Sequence, residues 1–194
     1  MTKDTGKQSL EFRKKNFDTV WGEHDQDGDH NVGVRTLVFY PDVRVRNNSS
    51  HSLRTAQRTA QNKLDEAVSL CAALELDIIH AEIINLSKIR SSTYLGKGKL
   101  EEMAALVEGA DIELVVADCE LSPGQQRNLE RELKVKVIDR TGLILEIFGE
   151  RAQTKEGVMQ VELAHLSYQK SRLVRSWTHL ERQRGGFGFL GGPG

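Results

Sequence analysis

The sequence has 194 residues, a formal net charge of −1, 38% hydrophobic residues and 28% charged residues. This balance is typical of a soluble globular protein, and it excludes a uniformly basic nucleic-acid binder and an acidic disordered chain. No apolar run approaches the roughly 20 residues of a membrane helix, and no signal peptide is apparent, so we expect a cytoplasmic location.

Strand and helix patterns alternate along most of the chain. Residues 1–33 are polar and irregular, and we expect a disordered tail there. From Val34 onward, β-rich runs predict strands over 34–40, 77–86, 112–117 and 135–138, the first ended by Pro41. Helical spacing of apolar residues predicts helices over 53–76, 97–108 and 141–151 and from Ser122 onward. The alternation predicts an α/β domain over 34–153, with a small, mostly parallel four-stranded sheet flanked by helices.

Capping residues mark several helix ends. Ser122, Pro123 and Gln125 have the spacing of a capping box with proline at the first helical position. Asp139 is expected to cap the helix that follows the fourth strand. Gly109 is expected to close the second helix in the left-handed conformation.

A long helix is predicted over 154–184, followed by a glycine-rich loop over 185–194. Its apolar seam has alternating spacings of four and three residues, interrupted by Lys170, and consists of Met159, Leu163, Leu166, Leu173, Trp177 and Leu180. Such a coiled-coil seam calls for a facing helix, and none follows in the sequence. The glycine-rich end is then either a flexible tail or the tip of a helical hairpin. An open seam also favours self-association.

One helix start is a weak candidate for phosphate binding. The run Gly96, Lys97, Gly98 and Lys99 combines glycines, lysines and a helix N-terminus, which favour an anion. A phosphate loop requires GxxxxGK followed by Ser or Thr, and the sequence contains none. The alternative interpretation is an ordinary helix start with two solvated lysines.

Other chemistry-bearing residues show no catalytic or metal-binding pattern. The six histidines are scattered, so we expect no metal and no resident cofactor in this chain. We expect Cys71 and Cys119 to be small core residues. Glu146 and Glu150 are interpreted as a solvated pair on an exposed helix face.

The C-terminal part is the basic part of the chain. Residues 151–194 contain seven Lys or Arg and three Asp or Glu. Cations, aromatic rings and flexible glycines together favour RNA, with a solvated helix face as the alternative. The candidate RNA-binding residues are Arg172, Arg175, Arg182, Arg184, Gly185, Gly186, Phe187, Gly188 and Phe189.

Five segments form a pattern that is specific when taken together. They are Gly96–Lys99 with Glu101 and Glu102, residues 121–130 (LSPGQQRNLE), residues 137–148 (VIDRT followed by LILEIF), residues 151–173, and the glycine-rich close at 185–194. This pattern resembles the N-terminal part of HflX-type ribosome-associated GTPases, and it covers about residues 34–194.

The resemblance implies a small parallel sheet with helices, then a long helical hairpin whose glycine-rich tip enters the large ribosomal subunit near the peptidyl transferase centre. It implies a following GTP-binding domain with GTP and Mg²⁺, contact with ribosomal RNA, and a role in splitting or rescuing stalled ribosomes under stress. N-terminal domains of the family are also credited with ATP binding.

The second hairpin arm and the GTP-binding domain are missing from this sequence, which ends at Gly194. We therefore expect no GTPase activity from this chain alone. Two other functions remain open from the residues themselves, a weak ATP-binding module and a self-associating interaction domain.

Overall fold

The computed structural model describes residues 33–43 and 50–185, with side chains described for 33–43 and 59–172. The described strands are β1 (Arg35–Val43), β2 (Asp77–Leu86), β3 (Leu114–Ala117) and β4 (Lys136–Asp139). The described helices are α1 (Ser50–Ala72), α2 (Lys97–Gly109), α3 (Pro123–Leu133), α4 (Arg140–Arg151) and α5 (Lys155–Gly185). The predicted tail and the loop beyond Gly185 lie outside the described residues, so their boundaries stay predictions.

The four strands form one parallel sheet in the order β2-β1-β3-β4. β1 pairs with β2 on one side and with β3 on the other, and β3 pairs with β4. The chain therefore adds β2 on one side of β1, and then adds β3 and β4 on the other side. The carboxyl ends of β1 and β3 flank the point where this direction reverses, which is where open α/β sheets commonly place functional residues.

Helices cover both faces of the sheet, as the predicted α/β architecture requires. Leu37 and Phe39 of β1 point into a core that contains Met103 of α2 and Leu129 of α3. Val38 points to the other face, into a core formed with α1 and α4. Because both faces are buried, the central strands read as nearly continuous apolar runs rather than alternating ones.

Several local predictions differ from the structure. α1 ends at Ala72 and not at residue 76, and β3 begins at Leu114 and not at residue 112. β1 does not end at Pro41 but continues to Val43, with Pro41 paired to Ile84 of β2. The pairing of β1 with β3 stops at Phe39, so Pro41 lies where β1 has one neighbour and its missing N–H disrupts nothing. The left-handed residue after α2 is Asp111, with φ 46°, whereas Gly109 still belongs to the helix.

α5 packs against α3 and α4 along one face. This docking face consists of residues at helical spacing that are buried or half-buried, namely Val161, Ala164, His165, Tyr168 and Arg172. The opposite face carries the predicted seam, and its described members Met159, Leu163 and Leu166 are 61%, 67% and 56% exposed. The helix thus presents one face to the domain and an open apolar strip on the other side.

Candidate functional site

The carboxylate of Asp139 lies at the carboxyl end of β4 and is completely buried. Its Oδ1 accepts a hydrogen bond from the backbone N–H of Gly142 at 2.9 Å, which confirms Asp139 as the cap of α4. The same oxygen accepts a hydrogen bond from the hydroxyl of Tyr168 on α5 at 2.6 Å. One oxygen therefore joins the first turn of α4 to the long helix.

The second oxygen of Asp139 makes an equivalent connection. Oδ2 accepts from the backbone N–H of Leu121 at 3.3 Å and from Nη2 of Arg172 at 2.5 Å. A buried carboxylate is costly unless it is paired and hydrogen-bonded, and here four donors satisfy it. We call Asp139, Gly142, Leu121, Tyr168 and Arg172 the Asp139 cluster.

Arg172 makes further contacts within this cluster. Its Nη1 donates to the carbonyl oxygen of Leu121 at 3.1 Å, and its guanidinium carbon lies 4.3 Å from the ring centroid of Tyr168. Burial, the hydrogen bond to Asp139 and its negative charge raise the pKa of Tyr168 above its ordinary value. The hydroxyl consequently stays protonated and remains a donor to the carboxylate.

Glycine at position 142 allows this arrangement. A Cβ atom there would lie 3.2 Å from the Tyr168 hydroxyl and 3.5 Å from Oδ1 of Asp139. The first contact is tighter than ordinary van der Waals packing, so with a larger residue at position 142 the Tyr168 hydroxyl would have to shift by a few tenths of an ångström. Glycine at position 142 leaves room for the hydrogen bond between Tyr168 and Asp139.

A second ionic network lies at the carboxyl end of β3. Nη1 of Arg140 is 2.6 Å from Oδ1 of Asp118, whose side chain is only 2% exposed. Nη2 of Arg140 is 2.6 Å from Oε1 of Glu66 on α1. The hydrogen bonds to Asp118 and Glu66 raise the pKa of Arg140. This network joins β3, α1 and the first residue of α4 beside the Asp139 cluster.

Glu146 and His165 face each other where α4 meets α5. Both are buried, and Oε1 of Glu146 lies 3.8 Å from Nδ1 of His165. Burial, together with the charge of Glu150, raises the pKa of Glu146 to about 7. The interpretation of Glu146 as solvated is therefore wrong, because α5 covers this face of α4.

The candidate phosphate-binding run lies at the start of α2, with Gly96 as its N-cap. Nζ of Lys99 lies 2.6 Å from Glu82 of β2 and 2.8 Å from Glu102 of α2. Partial burial opposes the charge of Lys99, but the hydrogen bonds to Glu102 and Glu82 outweigh it and raise its pKa. Lys97 is 91% exposed and lies 3.6 Å from Glu101. The carboxylates of Glu82 and Glu102 already neutralise Lys99, which disfavours a nucleoside triphosphate at this cation. Phosphate binding by this run stays a prediction.

The candidate RNA-binding residues divide into two groups. Arg172 belongs to the Asp139 cluster, and only 16% of its side chain is exposed. The side chains of Arg175, Arg182 and Arg184 lie outside the described part of the chain, as do residues 186–189. RNA binding by these residues stays a prediction.

Sequence reasoning identified Asp139 as a helix cap but missed its contacts with Tyr168 and Arg172. One signal was present, since Tyr168 and Arg172 are four residues apart and share a helix face. The buried position of His165 on that same face was also missed. The apolar seam on the opposite face gave the stronger sequence signal, so the polar docking face was not predicted.

Within residues 33–43 and 50–185, no group of three or more His, Cys, Asp or Glu side chains is arranged to hold a metal ion. No helix in that part of the chain has the length and hydropathy required to cross a membrane. Cys71 is buried, Cys119 is partly buried, and both are free thiols.

Two family models match successive parts of the chain. Residues 61–149 match the family model described as "GTP-binding GTPase N-terminal", and residues 151–194 match "GTP-binding GTPase Middle Region". The chain is 53% identical over 141 residues to the GTPase HflX of Magnetococcus marinus, and the alignment covers 73% of this chain and 33% of that protein. It is 56% identical over 101 residues to the GTPase HflX of Escherichia coli, covering 52% and 24%. The chain thus spans a third or less of the length of these two relatives.

Solved structures share the fold. A mutation variant of the protein SsGBP is 26% identical, with a TM-score of 0.52, covering 73% of this chain and 41% of that one. A GTP-binding protein from the archaeon Sulfolobus solfataricus, solved in complex with GDP, has a TM-score of 0.53 at 24% identity, covering 77% and 42%. Because two family models match successive parts of the chain and its relatives are GTPase HflX proteins, the chain belongs to the HflX-type GTP-binding proteins, whose N-terminal and middle regions it represents.

Proposed function

We propose that this chain is the N-terminal portion of an HflX-type protein that associates with the large ribosomal subunit and acts in ribosome splitting or rescue. GTP hydrolysis, with Mg²⁺, is assigned to the GTP-binding domain of full-length relatives, because these 194 residues contain no phosphate loop. The chain contributes a folded base and a long helix that carries the basic, glycine-rich end toward ribosomal RNA.

The observation that carries this proposal is the attachment of α5 to the sheet. α5 has 31 residues and therefore extends about 45 Å. Its attachment at Tyr168 and Arg172 leaves residues 173–185 of the helix beyond the cluster. Five Lys or Arg and one Glu occur between residues 170 and 184. A helix held at its base and basic toward its far end is suited to reach phosphates.

The open strip of Met159, Leu163 and Leu166 fits the same function. In the hairpin that the family resemblance implies, a second helical arm would pack against this strip. The strip has the heptad spacing of such a contact, and its described members are exposed in this chain. We assign the strip to the second arm in full-length relatives.

Co-sedimentation with purified large ribosomal subunits tests the proposal. The double substitution Arg182→Ala/Arg184→Ala should weaken binding and make it less dependent on salt, because each lost phosphate contact lowers the salt slope by about 0.7–0.9. Arg131→Ala is the matched control, since Arg131 is an exposed arginine on α3 with one 3.6 Å ion pair to Glu132. Equal binding by all three proteins at every salt concentration would refute the proposed RNA contact.

Weak ATP binding is the enzyme-class alternative. Its residues would be Gly96, Lys97, Gly98 and Lys99, and Lys97 is the exposed cation among them. Equilibrium binding of radiolabelled ATP should then be lost in Lys97→Ala and in Lys97→Ala/Lys99→Ala. Absence of binding to the unaltered chain at millimolar ATP would end this alternative.

Self-association is the interaction-module alternative. It would use the strip and its continuation at Leu173, Trp177 and Leu180, whose side chains lie outside the described part. Sedimentation equilibrium should show dimers that Leu163→Lys abolishes. A monomer at high concentration would exclude this function for the chain.

A further inference from the structure

We propose that Tyr168 and Arg172 are positioning residues, which fix the direction of α5 relative to the α/β domain by holding the carboxylate of Asp139. Arg172 then serves ribosome contact indirectly, through the orientation of the helix, and does not itself bind RNA phosphate. The consequence for ribosome binding rests on the proposed function, whereas the fixing of α5 does not.

The donors around Asp139 come from both the α/β domain and α5. Each carboxylate oxygen takes one donor from the domain backbone and one from α5. Tyr168 contacts Oδ1, and Arg172, one helical turn further along, contacts Oδ2. Two contacts separated along a helix restrict both its tilt and its rotation about its own axis. A third contact, from Arg172 to the Leu121 carbonyl, reinforces the same orientation.

Breaking the contacts between α5 and Asp139 is costly as long as the carboxylate stays buried. If α5 tilted or rotated while still covering the end of β4, the buried Asp139 would retain only its two backbone donors. A buried charge that loses its ionic partner is strongly disfavoured. Alternative directions of α5 that separate Arg172 from Asp139 are therefore poorly populated, and the described direction is one defined state.

Arg172 is already engaged by partners within the chain. Its guanidinium already donates to a carboxylate and a carbonyl and stacks on the Tyr168 ring. Reaching an RNA phosphate would require it to leave all three partners and expose Asp139. Lys170, two residues away, is exposed, and it serves as the reference cation for experiments.

Distance measurement by pulsed electron–electron double resonance tests the positioning role directly. Spin labels would be attached at Glu132→Cys on α3 and Ser176→Cys on α5. Burial raises the pKa of Cys71 and of Cys119 to about 12, which makes these native thiols slow to label. The parent should give one narrow distance distribution. Tyr168→Phe and Arg172→Gln should each broaden it, and their combination should broaden it further.

Lys170→Gln is the matched control, because it removes the same charge from α5 without touching Asp139. It should leave the distribution unchanged. Tyr168→Phe removes a single hydroxyl, so it keeps the test valid if Arg172→Gln fails to fold by circular dichroism. An unchanged distribution in folded Tyr168→Phe/Arg172→Gln, or in Tyr168→Phe alone if the double variant is unfolded, would overturn the positioning role.

The salt dependence of ribosome binding separates positioning from direct contact. Substitution of a positioning residue lowers the fraction of chains in which α5 has the direction required for binding, and hence the apparent affinity. It does not remove a phosphate contact. Tyr168→Phe and Arg172→Gln should weaken large-subunit binding by roughly threefold and tenfold with an unchanged salt slope. Arg182→Ala should instead reduce the slope by about 0.7–0.9.

The outcomes distinguish the two proposals. If Arg172→Gln reduces the slope as Arg182→Ala does, while Tyr168→Phe binds normally, then Arg172 is an RNA contact and the positioning role is overturned. If the unaltered chain does not bind large subunits, the proposed function fails, and the distance distributions still decide whether Tyr168 and Arg172 fix α5.

Discussion

Glu146 of α4 and His165 of α5 face each other in the buried contact between the two helices, with Oε1 3.8 Å from Nδ1. Neither environment favours a charge. Burial raises the pKa of Glu146 to about 7, and burial lowers the pKa of His165 although a backbone hydrogen bond with Leu145 opposes this shift. Nε2 of His165 is buried and has no hydrogen-bond partner among the described residues. This contact therefore makes the stability of the α4–α5 interface dependent on pH.

Replacing Glu146 by Gln should stabilise the fold at alkaline pH. The folded pKa of about 7 lies above the ordinary value of 4.5, so the carboxyl destabilises the fold increasingly as the pH rises from 4.5 to 7. The full shift corresponds to about 3 kcal/mol. Urea unfolding should show Glu146→Gln gaining up to that amount at pH 8 and little near pH 4.5. The exposed Glu108→Gln should show no such pH-dependent gain, and an equal gain at both pH values would contradict the buried-carboxyl account.

His165 should titrate below its ordinary pKa of 6.5, because burial disfavours the imidazolium. A lowered folded pKa means that the unfolded chain binds the proton more readily, so stability is lost as the pH falls below 6.5. NMR titration of the His165 ring protons should give the lowered pKa directly. In His165→Gln the acid loss of stability should be smaller, and an NMR pKa above 6.5 would contradict this account.

The pair of Arg140 and Asp118 should contribute far more to stability than the pair of Arg140 and Glu66. Asp118 is buried, so Arg140→Gln leaves its charge without an ionic partner and should cost about 3 kcal/mol. Glu66 is 53% exposed, and Glu66→Gln should cost less than about 1 kcal/mol. Because Arg140→Gln breaks both pairs and Glu66→Gln breaks only the exposed one, the difference between their costs in urea unfolding measures the buried pair. Equal costs would show that burial of Asp118 is unimportant.

Removing the cap of α3 should destabilise the domain moderately. The Ser122 hydroxyl accepts from the N–H of Gln125, and the Gln125 side chain accepts from the N–H of Ser122. Ser122→Ala should cost about 1 kcal/mol, whereas Ser122→Asp should retain most of the stability. Thermal unfolding followed by circular dichroism tests both, and a Ser122→Asp variant no more stable than Ser122→Ala would argue against the cap.

Much of the fold follows from local signals in the sequence. Short-range chemistry sets the capping box at Ser122 and the cap at Asp139, and both are confirmed. The parallel sheet is likewise confirmed. It could be predicted because strand and helix periods alternate clearly along the sequence. Pro41 was misread as a strand end because its effect depends on which neighbour β1 has at that point, and pairing partners are not visible in a single strand.

The polar contacts of the candidate site depend on tertiary structure and are therefore harder to predict from the sequence. Asp139 and Arg172 are 33 residues apart and meet only because α5 crosses the carboxyl end of β4. The seam of Met159, Leu163 and Leu166 predicted that this face of α5 packs against another helix. The seam is exposed, and the opposite face of α5 packs against the domain. Reading Glu146 as solvated failed for the same reason, since α5 covers it.

The most direct test of the central claim is a cryo-electron microscopy structure of this chain bound to the large ribosomal subunit. Our account predicts that the far end of α5 and residues 186–194 lie against ribosomal RNA, with Arg182 and Arg184 at phosphates and Arg172 still on Asp139. A complex in which the α/β domain contacts the subunit while the end of α5 points into solvent would contradict it.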